Sequence, residues 1–151
     1  MLEKLIQELE QLLLQEGVVA NILLKSEQSV YDAGEQHEVE LQFVPRDEIE
    51  NPLARVHFFP IDETTCELEV EVHYLSQEGI VRETASLWES AKQIVESVSI
   101  TEKRRYISTD KTAEVEHILD YFFILNLEMP EEEIHQLLSK CASEVNQLTR
   151  L

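Results

Sequence analysis

Residues Ala54 to Leu75 read ARVHFFPIDETTCELEVEVHYL, and the fold turns on this stretch. Its second arm alternates without a break. Cys66, Leu68, Val70, Val72 and Tyr74 fall at one parity, Glu67, Glu69, Glu71 and His73 at the other. Successive side chains of a strand point to opposite sides, so this arm is a strand with one buried and one wet face. The first arm sets Val56 and Phe58 against Arg55, His57 and Phe59, and Asp62 to Thr65 is turn material. The arms form a hairpin whose inner face requires a helical cover. Opposed hairpin residues share a face, so Val56 and Phe58 must stand opposite members of the Cys66-to-Tyr74 row, which demands an odd-numbered loop. That phase brings Arg55 and His57 near Glu69, Glu71 and His73, where opposite-charge pairs contribute about 0.2–1 kcal/mol each.

On the N-terminal side, Leu2, Leu5, Ile6, Leu9, Leu12 and Leu13 recur at helical spacing, with Glu3, Lys4, Glu8 and Gln11 opposite. Gly17 supplies the left-handed stop of this amphipathic helix. Val18 to Lys25 (VVANILLK) is short, apolar and β-branched, the composition of a strand. A polar link with Asp32-Ala33-Gly34 as its turn signal follows. His37 to Val44 alternates again, Val39, Leu41 and Phe43 against Glu38, Glu40 and Gln42, and Pro45 closes it. The segment RDEIENP is a loop ending at Pro52.

On the C-terminal side, Gly79 precedes a second helix with Leu87, Ala91, Ile94, Val95 and Val98 as its stripe and Trp88 beside it. Ser86-x-x-Glu89 has the form of a capping box. Lys103, Arg104 and Arg105 make a dense basic cluster that flanks a strand from Tyr106 to Thr109 and offsets acids elsewhere. Ser108 to Thr112 (STDKT) is a turn. Val115 to Leu127 (VEHILDYFFILNL) admits two interpretations: Val115, Ile118, Leu119 and Phe122 suit a helix, whereas Tyr121-Phe122-Phe123-Ile124 is apolar on both sides, as a strand covered on both faces would be. The β-rich run favours the strand. Met129-Pro130 opens the last helix, with Glu131, Glu132 and Glu133 at the positive end of its dipole. Its stripe is Ile134, Leu137, Leu138, Cys141, Val145 and Leu148.

At 151 residues the chain is expected to be a single α+β domain, residues 1–151, in the order α-β-β-β-β-α-β-β-α, its antiparallel sheet covered by helices. No run approaches the roughly 18 apolar residues of a membrane span, and the acid-rich N-terminus lacks the cationic lead of a secretory signal. Cys66 and Cys141 fall on predicted core faces with no CxxC spacing, which points to two reduced thiols and a cytoplasmic setting. Asp and Glu number 31 against 12 Lys and Arg, a net charge of −19. That field repels nucleic acid and anionic membranes, so neither is an expected partner.

Sequence motifs for chemistry are absent: no glycine-rich phosphate loop, no HExxH and no GxSxG. Glu114-x-x-His117 and Glu132-x-x-His135 match the ExxH spacing of carboxylate di-iron proteins, but that centre needs a four-helix core and two further glutamates. Cys66 lies in an inward row, where a thiol behaves as a small hydrophobe. His57 and His73 on one sheet face could sense pH. The acids fall on predicted wet faces, without the burial that tunes a carboxyl for acid–base work. No catalytic, cofactor-binding or metal-binding residue is assigned, and the chain is not expected to be an enzyme.

The segments LWESAKQIV, the strand near Tyr106, the TDKT turn, EHILDYFFILNL and MPEEEIHQLLSKCASEVNQL, spanning Leu87 to Leu148, resemble the type III secretion chaperone fold and, within it, the YbjN-like proteins. The N-terminal half agrees in the order of its elements. The resemblance implies a small, often dimeric, cytoplasmic protein without enzymatic activity that binds another polypeptide or modulates a signalling pathway; no site residue carries over. The resulting expectation is a protein-binding module, chaperone-like or a regulatory adaptor and a homodimer, whose partner is another protein or an extended polypeptide segment. Apolar residues beyond the needs of three helical stripes and one sheet face are the candidates for contact: Phe59, Ile118, Phe122 and Ile124, with Leu14 beside them. The alternative is a small-molecule or metal-binding sensor using the space between helix and sheet.

Overall fold

The computed structural model describes residues 2–17, 22–27, 38–43, 53–77, 83–108 and 111–151. Helix α1 (Leu2–Glu16) is followed by strands β1 (Ile22–Glu27), β2 (Glu38–Phe43), β3 (Leu53–Pro60) and β4 (Thr65–Gln77). Helix α2 (Thr84–Lys92), strands β5 (Ser99–Ser108) and β6 (Lys111–Asn126) and helix α3 (Glu131–Leu148) complete the order, which is the expected one. The strands form a six-stranded sheet in the order β1-β2-β3-β4-β6-β5. Each pairing is antiparallel.

The β3–β4 hairpin has the predicted phase. Val56 pairs with Val70 and Phe58 with Leu68, all buried, while Arg55 pairs with Glu71 and His57 with Glu69 on the other face. Pro60 pairs with Cys66, so an odd number of residues, the five from Ile61 to Thr65, lies between the paired ends. The Asp62 carboxylate ties that turn by accepting hydrogen bonds from the Thr64 amide at 2.8 Å and the Thr64 hydroxyl at 3.0 Å.

One apolar cluster joins the inner sheet face to the helices. It contains Leu5, Leu9, Leu12 and Leu13 of α1, Leu87 and Ala91 of α2, and Ile134, Leu138, Cys141 and Val145 of α3. These meet Phe58, Leu68, Val70, Val72, Leu119, Tyr121 and Leu125 from the sheet. Gly17 ends α1 at φ 74°, the left-handed conformation for which glycine carries no steric penalty. Pro130 sits at the N-cap of α3 and three glutamates occupy its first turn.

The structure corrects four expectations. The second helix stops at Lys92 rather than running through Val98; Val95 and Val98 are buried from the link that follows it. Their helical spacing is a coincidence, because a link laid across the core buries side chains too. Ser86 lies inside α2 and caps nothing, since the N-cap is Glu83 and makes no side-chain bond. The fifth strand begins at Ser99, not Tyr106, and contains Lys103, Arg104 and Arg105. Residues 115–126 do form a strand, part of Lys111–Asn126, but its outer face is open at one end: Phe122 is 64% and Ile124 57% exposed. The expected strand at Val18 to Lys25 appears as Ile22–Glu27. Residues 18–21, the Asp32-Ala33-Gly34 turn, the Pro45-to-Pro52 loop, Gly79 and residues 109–110 lie outside the described residues. Among the described residues no helix is long and apolar enough to cross a membrane.

Candidate protein-binding face

The outer face of the sheet is built from the residues that alternate with the core. Its rows follow from the register: Arg55, Glu71, Asp120 and Ser99 form one, His57, Glu69 and Phe122 the next, Phe59, Glu67 and Ile124 a third. Another row sets His73 beside Ile118 and Thr101. The four residues singled out in the sequence thus share one face, but they separate into different settings. Phe122 and Ile124 stand exposed at one end. Phe59 is half-buried in the Ile124 row with Glu67 between them, its ring stacked on His57 at 5.9 Å and 8°. Ile118 is only 8% exposed, flanked by His73 and Thr101.

Between these apolar groups lies a charged cluster. His73 Nδ1 stands 2.6 Å from Glu116 Oε1, and its Nε2 stands 3.0 Å from Glu71 Oε2. A neutral imidazole has one N–H, so two carboxylate partners select the doubly protonated ring. His57 Nε2 approaches the same Glu71 oxygen at 3.5 Å. Burial alone would lower the His73 pKa; hydrogen bonds to Glu71 and Glu116 outweigh it and raise the value. Glu71 is held well below the ordinary carboxylate range by His57 and His73. Burial, then the Glu71 charge, pushes Glu69 and Asp120 the other way.

The acids of this face are therefore partly buried, with Glu71 and Glu116 tied to histidines, not the plain wet ladder expected from β4. Glu116 and Asp120 were missed. Their signal lay in parity, since they share the phase of Ile118 and Phe122, but it has meaning only once β6 is set beside β4. The predicted basic cluster also finds acids: Arg104 Nη2 lies 2.7 Å from Glu102, and Arg105 Nη1 lies 3.9 Å from Glu114.

The remaining candidates scatter. Glu114 and His117 lie on β6, three residues apart and so on opposite faces; His117 is fully buried with Nε2 2.9 Å from the Thr84 hydroxyl. Glu132 and His135 open α3, and His135 Nδ1 meets Glu8 at 2.7 Å. These two pairs do not converge as a di-iron centre requires. Both cysteines are buried and free, with thiols pushed by burial to about 11 at Cys66 and about 12 at Cys141. Neither is a ready nucleophile. Among the described residues, no group of three His, Cys, Asp or Glu side chains is placed to hold a metal ion. A groove of about 630 Å³ runs between α1 and α3, floored by Leu5, Leu127, Met129 and Ile134 and rimmed by Glu8 and His135. No family model, curated protein or solved structure matches the chain.

Proposed function

We propose that this chain is a non-enzymatic protein-binding module, chaperone-like or a regulatory adaptor, that engages its partner through the outer face of the sheet. The observation that carries the proposal is the exposure of Phe122 and Ile124, adjacent along β6 on a face that no described helix covers. Large apolar side chains left side by side in water are costly unless something covers them. Phe59 extends the apolar surface along the Ile124 row, and the acids beside it keep the free protein soluble. The element order, the added N-terminal strand β1 apart, is consistent with the YbjN-like and secretion-chaperone resemblance and is offered in its support. The proposal includes a homodimer and a cytoplasmic setting, the latter favoured by two buried, unpaired thiols.

The test is affinity capture from the source cell with the wild-type chain and with Phe122→Asp/Ile124→Asp. A protein retained by the first and lost by the second, with unchanged circular dichroism, supports the proposal. Equal capture by both removes it. A ligand-sensing role is the second reading, favoured by the apolar-floored groove between α1 and α3. Native mass spectrometry of the purified protein tests it, a co-purifying small molecule being the expected result.

A further inference from the structure

Strand β5 starts opposite Asp120, so β6 runs on from Tyr121 to Asn126 with β4 on one side and no described strand on the other. Which backbone groups face the open side follows from one bond. The Leu127 amide donates to the Thr64 carbonyl at 2.7 Å, in step with the Thr65–Asn126 register. Backbone groups of alternate residues point to opposite edges of a strand, and the β4–β6 register is continuous from Asn126 back to Glu114. Odd-numbered residues of β6 therefore bond β4, and the N–H and C=O of Phe122 and Ile124 point out of the free edge. The next carbonyl, that of Asn126, accepts the Met129 amide at 3.1 Å and closes the turn.

A cavity of about 180 Å³ adjoins this edge, lined by Phe122 and Ile124 themselves together with Val95, Tyr121, Phe123, Leu137 and Cys141, with Glu144 and Lys140 at its side. It has the liquid volume of about six waters, space for one large apolar side chain. A strand added at the edge would direct alternate side chains inward toward this cavity and outward beside Phe122 and Ile124. The nearby charge is mostly negative: Glu69 and Glu67 stand across from Phe122 and Ile124, and Lys140 is 3.8 Å from Glu144.

We propose that the free edge at Phe122 and Ile124 takes up an extended segment of another polypeptide as an added strand, one carrying a large apolar residue flanked by Lys or Arg. This rests on the protein-binding role proposed above and gives it a mode and a partner chemistry. Main-chain pairing supplies the affinity of such an addition, and the side-chain cavity supplies the choice of sequence. A second copy of this chain is the poorer occupant of this edge, because its own Leu119-to-Leu127 segment carries no Lys or Arg to meet Glu67 and Glu69; the homodimer proposed above would use another surface.

The experiment uses the full chain and a synthetic peptide alternating lysine with valine and leucine, beside the same peptide N-methylated at alternate amides. Residue-resolved hydrogen exchange on binding should slow the Phe122 and Ile124 amides about tenfold or more while Tyr121 and Phe123, already bonded to β4, do not change. The methylated peptide, lacking the donors for the edge, should bind about tenfold or more weakly. Equal affinity of the two peptides overturns the proposal, since charge alone would then hold them. Binding with unchanged exchange at Phe122 and Ile124 also overturns it, while leaving the protein-binding role intact at another surface. Protection of those amides that rises with protein concentration in the absence of peptide, together with a doubled mass, overturns it in favour of a second copy.

Discussion

His73 bridges two carboxylates on the outer sheet face, and its titration should be visible in the stability of the fold. Its folded pKa is raised, so its contribution is fully present below the unfolded value of about 6.5 and is lost as pH rises through the folded one. Glu71 has the opposite sign: its folded pKa is depressed, so its contribution is present above about 4.3 and is lost as pH falls. His73→Gln should therefore cost about 1–2 kcal/mol near pH 6, and the difference should shrink toward pH 9, as read by urea unfolding at both values. A gap independent of pH would mean that the ring is neutral in the folded protein. Two neighbours on β6 show how strongly one strand divides its faces. Phe122→Asp should change stability by less than about 1 kcal/mol, because the side chain is exposed, whereas the fully buried Leu119→Ala should cost about 2–5 kcal/mol. Denaturant midpoints of the two variants check this.

Strand β6 is the element on which interpretation and function both turn. Its edge assignment predicts that Ile124→Pro, which removes an amide pointing away from β4, is tolerated far better than Phe123→Pro, which deletes a ladder bond. The second should lose about 3 kcal/mol or more and the first distinctly less, by thermal unfolding. The strand character of β6 was legible in Tyr121-Phe122-Phe123-Ile124, where aromatic and β-branched residues cluster without a helical period. The inference that an apolar run on both sides means cover on both sides failed, because periodicity cannot tell a buried strand from one exposing side chains at a free edge. The end of α2 was hidden for a related reason. Ile94, Val95 and Val98 repeat at helical spacing with no Gly or Pro to mark the break. Strand β5, written SITEKRRYIS, carries the charge typical of a sheet edge and shows no alternation before Tyr106. Of the candidate site, the sharing of one face was readable from parity within the hairpin. The closing of Glu116 onto His73 was not, because it depends on pairing between segments 43 residues apart.

At the scale of the molecule, the charge of −19 sits on a body whose apolar cluster draws on all three helices and the inner sheet face. Self-repulsion of that size opposes compaction, and salt screens it beyond about 8 Å at physiological ionic strength. Raising sodium chloride from low to physiological levels should raise Tm, about 2–4 °C for each kcal/mol of repulsion relieved, measured by calorimetry. A Tm that falls would show that the ion pairs of the outer face outweigh the repulsion. The strand order carries a consequence for how the chain is made. Strands β1 to β4 lie side by side in the order of synthesis, but β6 enters between β4 and β5, which were made before it. Until β6 and α3 leave the ribosome, the long flank of β4 has no neighbour and the leucines of α1 lack the α3 stripe that seals them. A nascent chain halted ahead of β6 would be a sticky intermediate, and its rescue would wait on the late arrival of a single strand.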